Sequence, residues 1–311
     1  IRLGLVGSEM CIRDRNNERK FKIHTLAFYN LENLFDTIND VNKNDEASPI
    51  MEIKFNRSGI YKQKITNMAK VISEIGYEVT KRPPSIIGIC EVENRKVVED
   101  LISNEKLENH NYGIVHYESP DDRGIDVGLI FNKDVFEVKN SNSHDVFITG
   151  NNSNKRRNTR DQLVVSGLLD GDLIHIIVNH WPSRGADETK RIAAAEVNNL
   201  IIDSLRNIHN NAKIITMGDF NDDPFDKSIK KVLGAKKEIK DVGKNDLYNP
   251  FEKILVEKGI GTNAYRDKWQ LFDQIILSRE FLKKDYQDYQ LYKAGVFNKS
   301  FLINKKGKFK G

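Results

Sequence analysis

The segment "IITMGDFNDDP", residues 214–224, is an apolar run that stops abruptly at Asp219, Asn221, Asp222 and Asp223. A Gly-Asp turn leading into a helix, with Pro224 near its first turn, accounts for one acid. Four polar groups crowded together invite a chemical reading as well. A carboxylate beside a carboxamide can orient a water and hold an anion, because an amide both donates and accepts hydrogen bonds. Two further apolar runs end in the same way. "KIHTLAFYN" leads to Asn30 and Glu32, and "PSIIGICEVEN" leads to Glu91 and Glu93. Each acid could be a solvated strand end. Carboxylates converging from several strand ends instead form a hard oxygen site suited to Mg²⁺ or Mn²⁺. Strand alternation predicts that Glu91 and Glu93 point to the same side.

"VNHWPSR" sets His180 in a dense polar motif at another strand end. His175 and His180 lie five apart on one strand, so they face opposite sides and do not form a zinc pair. Arg123 in "DDRGIDVGLIF" and Arg160 in "RRNTRDQL" flank strands. Each is either a solvated cation or a phosphate contact. No Gly-x-Ser-x-Gly points to a serine hydrolase, and no glycine-rich phosphate loop points to an NTPase.

Strands and helices must hold these groups in place. The runs that end in polar clusters, together with "QLVVSGLL", "LIHIIVNHW" and "QLFDQIIL", are nearly continuous in Val, Ile and Leu, as in strands covered on both faces. Asp170-Gly171-Asp172 reads as the turn of a hairpin. In "YKQKITNMAKVISEIG" the apolar Ile65, Met68, Ile72 and Ile75 recur at helical spacing, with Gly76 as the stop. A second helix follows Asp187 as its cap, with Ala193, Val197, Leu200 and Ile201 on one face. Polar loops occupy residues 39–49 and 150–160. Two packed sheets flanked by helices are the expected architecture.

The bulk numbers agree. A chain of 311 residues with 39% hydrophobic and 30% charged residues suits one large α/β domain. No apolar run approaches the roughly 20 residues of a membrane-spanning helix. The net charge of +4 permits an anionic substrate without demanding one. Cys11 and Cys90 offer no disulfide framework, and a cytoplasmic monomer is expected. The start "VGSEMCIRDR" resembles a translated sequencing adaptor. Residues 1–20 are therefore expected to be a non-native or disordered leader ahead of a domain over 21–311.

In their order along the chain, "FYNLEN", "GICEVEN", "RGIDVGLIF", "VNHWPSR", "MGDFNDDP" and "FDQIILS" resemble the endonuclease/exonuclease/phosphatase superfamily over about residues 21–280. The pattern is most similar to a bacterial branch of it. The resemblance implies a four-layered α/β/β/α sandwich of the DNase I-like kind. It implies that Glu91 and Glu32 hold Mg²⁺ or Mn²⁺, that Asn30 lines the same site, and that His180 contacts phosphate. It implies that Asp219 positions water, that Asn221 contacts the phosphate, and that Asp273 orients a catalytic histidine. Arg123 and Arg160 carry over as phosphate or structural contacts. That histidine belongs to a Ser-Asp-His motif near the family's C-terminus, and this sequence has none; its last histidine is His209. The resemblance therefore implies a fragment without its last strand, weakly active or inactive as it stands. The implied activity is metal-dependent hydrolysis of a phosphate ester, nuclease-like and with nucleic acid among the candidate substrates. The alternatives are a phosphomonoesterase on a sugar, lipid or inositol phosphate, and a non-catalytic binding module on the same fold.

Overall fold

The structure, a computed structural model, describes residues 5–9 (backbone), 22–149, 156–284 and 287–302. One sheet contains β1 (Leu5–Glu9), β2 (Thr25–Leu34), β3 (Ile86–Val92), β4 (Tyr112–His116), β5 (Asp126–Asn132) and, last in the chain, β17 (Gly295–Val296), in the order β17-β1-β2-β3-β5-β4. The other contains β6 (Phe136–His144), β9 (Gln162–Leu169), β10 (Asp172–His180), β11 (Ile214–Asp219), β12 (Ala235–Lys236), β13 (Leu247–Tyr248) and β16 (Asp273–Ser278), in the order β12-β13-β16-β11-β10-β9-β6. Two short pairs stand apart: β7 (Ile148–Thr149) with β8 (Arg156–Arg157), and β14 (Asn263–Tyr265) with β15 (Lys268–Gln270). The helices are α1 (Arg57–Glu74), α2 (Tyr77–Thr80), α3 (Arg95–Ile102), α4 (Glu188–Ile208) and α5 (Phe251–Lys258).

The four-layered sandwich follows from how each strand divides its side chains. Leu26, Phe28 and Cys90 of the first sheet pack against Val165, Ile176 and Met217 of the second. Their neighbours Ala27, Ile87 and Ile89 turn the other way, onto Ile65, Met68 and Ile72 of α1 and Val97 and Leu101 of α3. On the far side Ile177, Ile214 and Ile276 meet Ala194, Ala195 and Ile202 of α4. Period-two alternation thus feeds two apolar layers at once, which is why the strands read as unbroken apolar runs.

The local expectations can be followed residue by residue. Asp170 (φ 46°) and Gly171 (φ 92°) form a two-residue turn that pairs Leu169 with Asp172. α1 buries Ile65, Met68 and Ile72 and stops at Ile75, with Gly76 in the left-handed region at φ 71°. Asp187 caps α4 by accepting from Thr189 N at 2.9 Å. The buried face of α4 is rotated from the expected one. It carries Ala194, Ala195, Asn198, Ile201 and Ile202, while Leu200 is exposed. The cause is polar: Asn198 donates to Asn179 Oδ1 (2.9 Å), Gln162 Oε1 (3.1 Å) and Thr216 Oγ1 (3.1 Å), and this turns the helix toward the sheet on that side. Within the leader, Leu5–Glu9 forms β1 and pairs antiparallel with β2 and β17. Residues 1–4 and 10–20 lie outside the described residues, as does the 150–155 part of the polar loop. Among the described residues no helix is long and apolar enough to cross a membrane.

Opposite the polar strand ends, a partly buried clamp ties the two sheets together. Asp170 Oδ2 accepts from His24 Nε2 (2.6 Å) and from Tyr289 Oη (2.6 Å), and Oδ1 accepts from Lys22 Nζ (2.5 Å). His24 Nδ1 meets Ser85 Oγ at 2.6 Å. Burial, outweighing the neighbouring Asp170, holds His24 below its usual value of 6.5. The unfolded chain therefore binds a proton that the folded chain refuses, and stability declines as pH falls below 6.5. His24→Gln is expected to lower stability at pH 7 by about 1–3 kcal/mol, the usual effect of losing buried and charged hydrogen-bond partners. It should also remove this share of the decline between pH 7 and pH 5, measured by urea unfolding at both. A variant as stable and as acid-sensitive as its parent would contradict the assignment.

Candidate active site

β2 and β3 run parallel, as do β10 and β11. Their C-terminal ends deliver polar side chains to one edge of the sandwich. In the second sheet His180 pairs with Asp219, and Asp219 pairs with Asp273, so three polar residues stand abreast on neighbouring strands. The first sheet supplies Asn30 and Glu91. One amide joins the two sets: Asn30 Nδ2 donates to Glu91 Oε1 (3.0 Å) and to Asp219 Oδ2 (3.0 Å). Glu91, His180 and Asp219 each offer one ligand atom, and these atoms lie within 4.8 Å of one another. His180 Nε2 is 3.7 Å from Glu91 Oε1. Asn30, His180, Asp219, Asn221 and Asp273 are all buried.

The backbone bends sharply to produce this arrangement. Glu32 (φ 47°), Asn33 (φ 56°), Glu91 (φ 59°) and Asn221 (φ 50°) all occupy the left-handed region that non-glycine residues rarely adopt. The bend at Glu32 and Asn33 presents Asn33 N to Glu91 Oε2 (2.9 Å) and Glu32 N to Asn30 Oδ1 (2.8 Å). Lys64 Nζ secures the same bend by donating to the carbonyls of Glu32 (2.5 Å) and Asn33 (2.7 Å). Burial lowers the Lys64 pKa, against the pull of Glu32 and Glu91. Beyond Asp219 the chain turns so that Asn221 N donates to Asp219 Oδ1 (3.0 Å) and Asn221 Nδ2 donates to Trp181 O (3.0 Å).

The bulge at Glu91 also breaks strand alternation, with a register shift between Cys90 and Val92. Glu93 therefore does not share the side of Glu91; its Oε2 accepts from Asp36 N at 2.7 Å. Glu32 is exposed and stands outside the group of three converging ligand atoms. Arg160 is buried, with Nη1 on Asp121 Oδ2 (3.3 Å) and Nη2 on Trp181 O (2.6 Å), the same carbonyl that holds Asn221. Arg123 is exposed, 3.5 Å from Asp121. Both arginines line a pocket of about 620 Å³ together with Glu91, His180 and Asn221.

Of the crowded acids in the 214–224 segment, two belong to the framework. Asp222 binds Arg191 Nε (2.7 Å) and Ser228 Oγ (2.6 Å). Asp223 accepts from Leu271 N (2.8 Å) and Arg184 Nη2 (3.0 Å). Burial raises both carboxyl pKa values, and these partners oppose the rise. Behind the site, Asn179 alternates with His180 and points away from it, donating to Thr216 Oγ1 (2.9 Å) and accepting from Trp181 Nε1 (3.1 Å). Gly218 allows the close approach, because a Cβ there would sit 2.3 Å from Asn179 O. Lys64, Arg184 and Arg191 were not singled out by sequence, since a lysine or arginine on a helix or loop carries no local sign of a distant partner.

The donor set fits a hard divalent cation. Two carboxylates and an imidazole converge, and the Asn30 amide bridges the two carboxylates. Asn30→Ala removes that bridge and leaves the half-buried Glu91 and the buried Asp219 carboxylates facing each other. The metal-free variant is expected to lose about 2 kcal/mol in urea unfolding with EDTA, and Mn²⁺ should restore more stability to it than to the parent. Equal stability of the two metal-free proteins would contradict the bridging role.

The comparisons with known proteins agree with this geometry. Solved structures with the same fold include ANGEL2, a 2′,3′-cyclic phosphatase, with a TM-score of 0.56 at 14% identity over 82% of this chain and 82% of that chain. An endonuclease/exonuclease/phosphatase family protein from Bacteroides thetaiotaomicron gives 0.51 at 16% identity over 81% and 80%. One from Bacteroides vulgatus gives 0.50 at 15% identity over 81% and 86%. At these identities the likeness shows the fold. No curated protein matches the chain. The model of one family, described as the endonuclease/exonuclease/phosphatase family, matches residues 25–311, and the chain belongs to that family.

Proposed function

We propose that this protein hydrolyses phosphate esters with the help of bound Mg²⁺ or Mn²⁺, acting as a nuclease-like phosphodiesterase. The observation that carries the reading is the convergence of Glu91, His180 and Asp219 ligand atoms within 4.8 Å, at the edge of a pocket that continues into cationic residues. Family membership supports phosphoester chemistry in general.

Glu91 and Asp219 would hold the cation, with His180 beside them. The cation, when bound, offsets the charge that builds up on phosphoryl oxygens. The remaining work falls to the side chains. Asp219 is held by Asn30 and by Asn221 N, so its carboxylate is fixed where it can take a proton from an attacking water. Asn221 uses its amide to bind Trp181 O, which points the rest of the carboxamide at the pocket it lines. The second Nδ2 hydrogen can be donated to a phosphate oxygen. His180 Nε2 faces the same space and can donate to the phosphate when protonated. Asp273, abreast of Asp219, places a further carboxylate on the neighbouring strand. Glu32, exposed at the bend beside Asn30, is at the rim. Position and electrostatics account for most of what such a displacement needs from a protein.

A second reading, a phosphomonoesterase acting on a sugar or polyol phosphate, draws on the hydroxyl and amide groups of Asn158, Thr159 and Ser183 in the pocket wall. The two readings part on a chromogenic pair. Hydrolysis of bis(p-nitrophenyl) phosphate over p-nitrophenyl phosphate is expected, lost in EDTA and restored by Mg²⁺ or Mn²⁺. Glu91→Gln and Asn221→Ala are each expected to lower kcat by about a hundredfold, typical for removing one charge-stabilising group. Preference for the monoester would move the assignment to the second reading. Hydrolysis of the diester that persists in EDTA would end the metal-dependent reading.

A further inference from the structure

Lys190 is unusual for a lysine. It is only 6% exposed, and among the described residues its ammonium has no hydrogen-bond or ion-pair partner. Its stem is covered while its tip reaches the pocket, as long cationic side chains commonly arrange themselves. Lys190 lies in the first turn of α4 and lines the pocket that also contains Glu91, His180 and Asn221. Two further cations, Arg123 and Arg157, line the same pocket, and both are exposed. Arg160 is different: its guanidinium is already committed to Asp121 and Trp181 O. An ammonium held at the wall of a polar pocket with no partner in the chain is one half of a charge-assisted contact, and an anion in the pocket can supply the other half.

We propose that the pocket binds a second phosphoryl group of the substrate through Lys190, with Arg123 and Arg157 beside it. The inference rests on the phosphoester reading above for what lies at the acidic end. The second group is either the next backbone phosphate of an oligonucleotide or the second phosphate of a small bisphosphate; the chemistry at Lys190 is the same.

Binding is measured first, with inorganic phosphate as the probe, by calorimetry on the whole chain in EDTA. Lys190→Met keeps the apolar stem and is expected to weaken phosphate binding about tenfold or more, the usual effect of losing a charge-assisted hydrogen bond. Lys190→Arg should largely restore it, and urea unfolding of each variant separates a folding defect from a lost contact. Phosphate affinity equal in parent and Lys190→Met would overturn the proposal. So would a loss confined to Asn221→Ala, which would put the phosphate at the acidic end, and so would no binding to the parent. Hydrolysis is the second arm. Thymidine dinucleotides with and without a 5′-phosphate are compared, and so are glucose 1,6-bisphosphate and glucose 1-phosphate. The pair whose kcat/KM ratio falls tenfold in Lys190→Met identifies the source of the second phosphate. An equal fall for both members of each pair would overturn the subsite. If phosphate binding depends on Lys190 but nothing is hydrolysed, the hydrolase reading fails and the subsite stands.

Discussion

Two carboxylates, the half-buried Glu91 and the buried Asp219, come from different sheets and converge with the Asn30 amide bridging them. Like charges at that separation repel by on the order of 3 kcal/mol at an effective dielectric of about 20. The architecture is organised around keeping them there. Parallel pairing of β2 with β3 and of β10 with β11 sends the strand ends to one edge. The packed layer between the sheets then fixes how far apart those ends lie. Asn30 touches both acids, and it does so across the boundary between the sheets.

Other polar groups near the site make this geometry rigid. Arg191 and Ser228 hold Asp222, and Arg184 and Leu271 N hold Asp223. The loop after β11 is thereby tied to α4 and to the approach of β16. Asn179, Asn198, Gln162 and Thr216 form a connected network behind His180, in which Asn198 Nδ2 reaches three of the oxygens. Such networks specify one arrangement of a core, because breaking one contact strands several buried groups. The crowding of acids in the 214–224 segment thus has two causes. Asp219 joins Glu91 and His180, and Asn221 lines the pocket, while Asp222 and Asp223 anchor the loop that presents them.

Much of this was legible in sequence. The unbroken apolar runs announced strands buried on both faces, the Asp-Gly-Asp turn announced a hairpin, and Asp187 announced the start of α4. The spacing of His175 and His180 separated them correctly: His175 lies against Ser166 and His209, and His180 in the site. The rest depends on conformation that residue types do not encode. A left-handed Glu91 breaks the alternation that would have aligned it with Glu93. A similar bend at Glu32 and Asn33 presents backbone amides, and Glu32 itself remains exposed. Long-range pairing is equally invisible. Arg160 with Asp121, Arg191 with Asp222 and Lys64 with the 32–33 carbonyls each join residues far apart in the chain.

The central claim is that the converging carboxylates at this edge form a divalent-cation site. Calorimetric titration of the metal-free protein with Mn²⁺ tests it most directly. One saturable site is expected, abolished in an Asp219→Asn, Glu91→Gln double variant that remains folded by circular dichroism. Mn²⁺ binding of unchanged stoichiometry and affinity in that variant would contradict it.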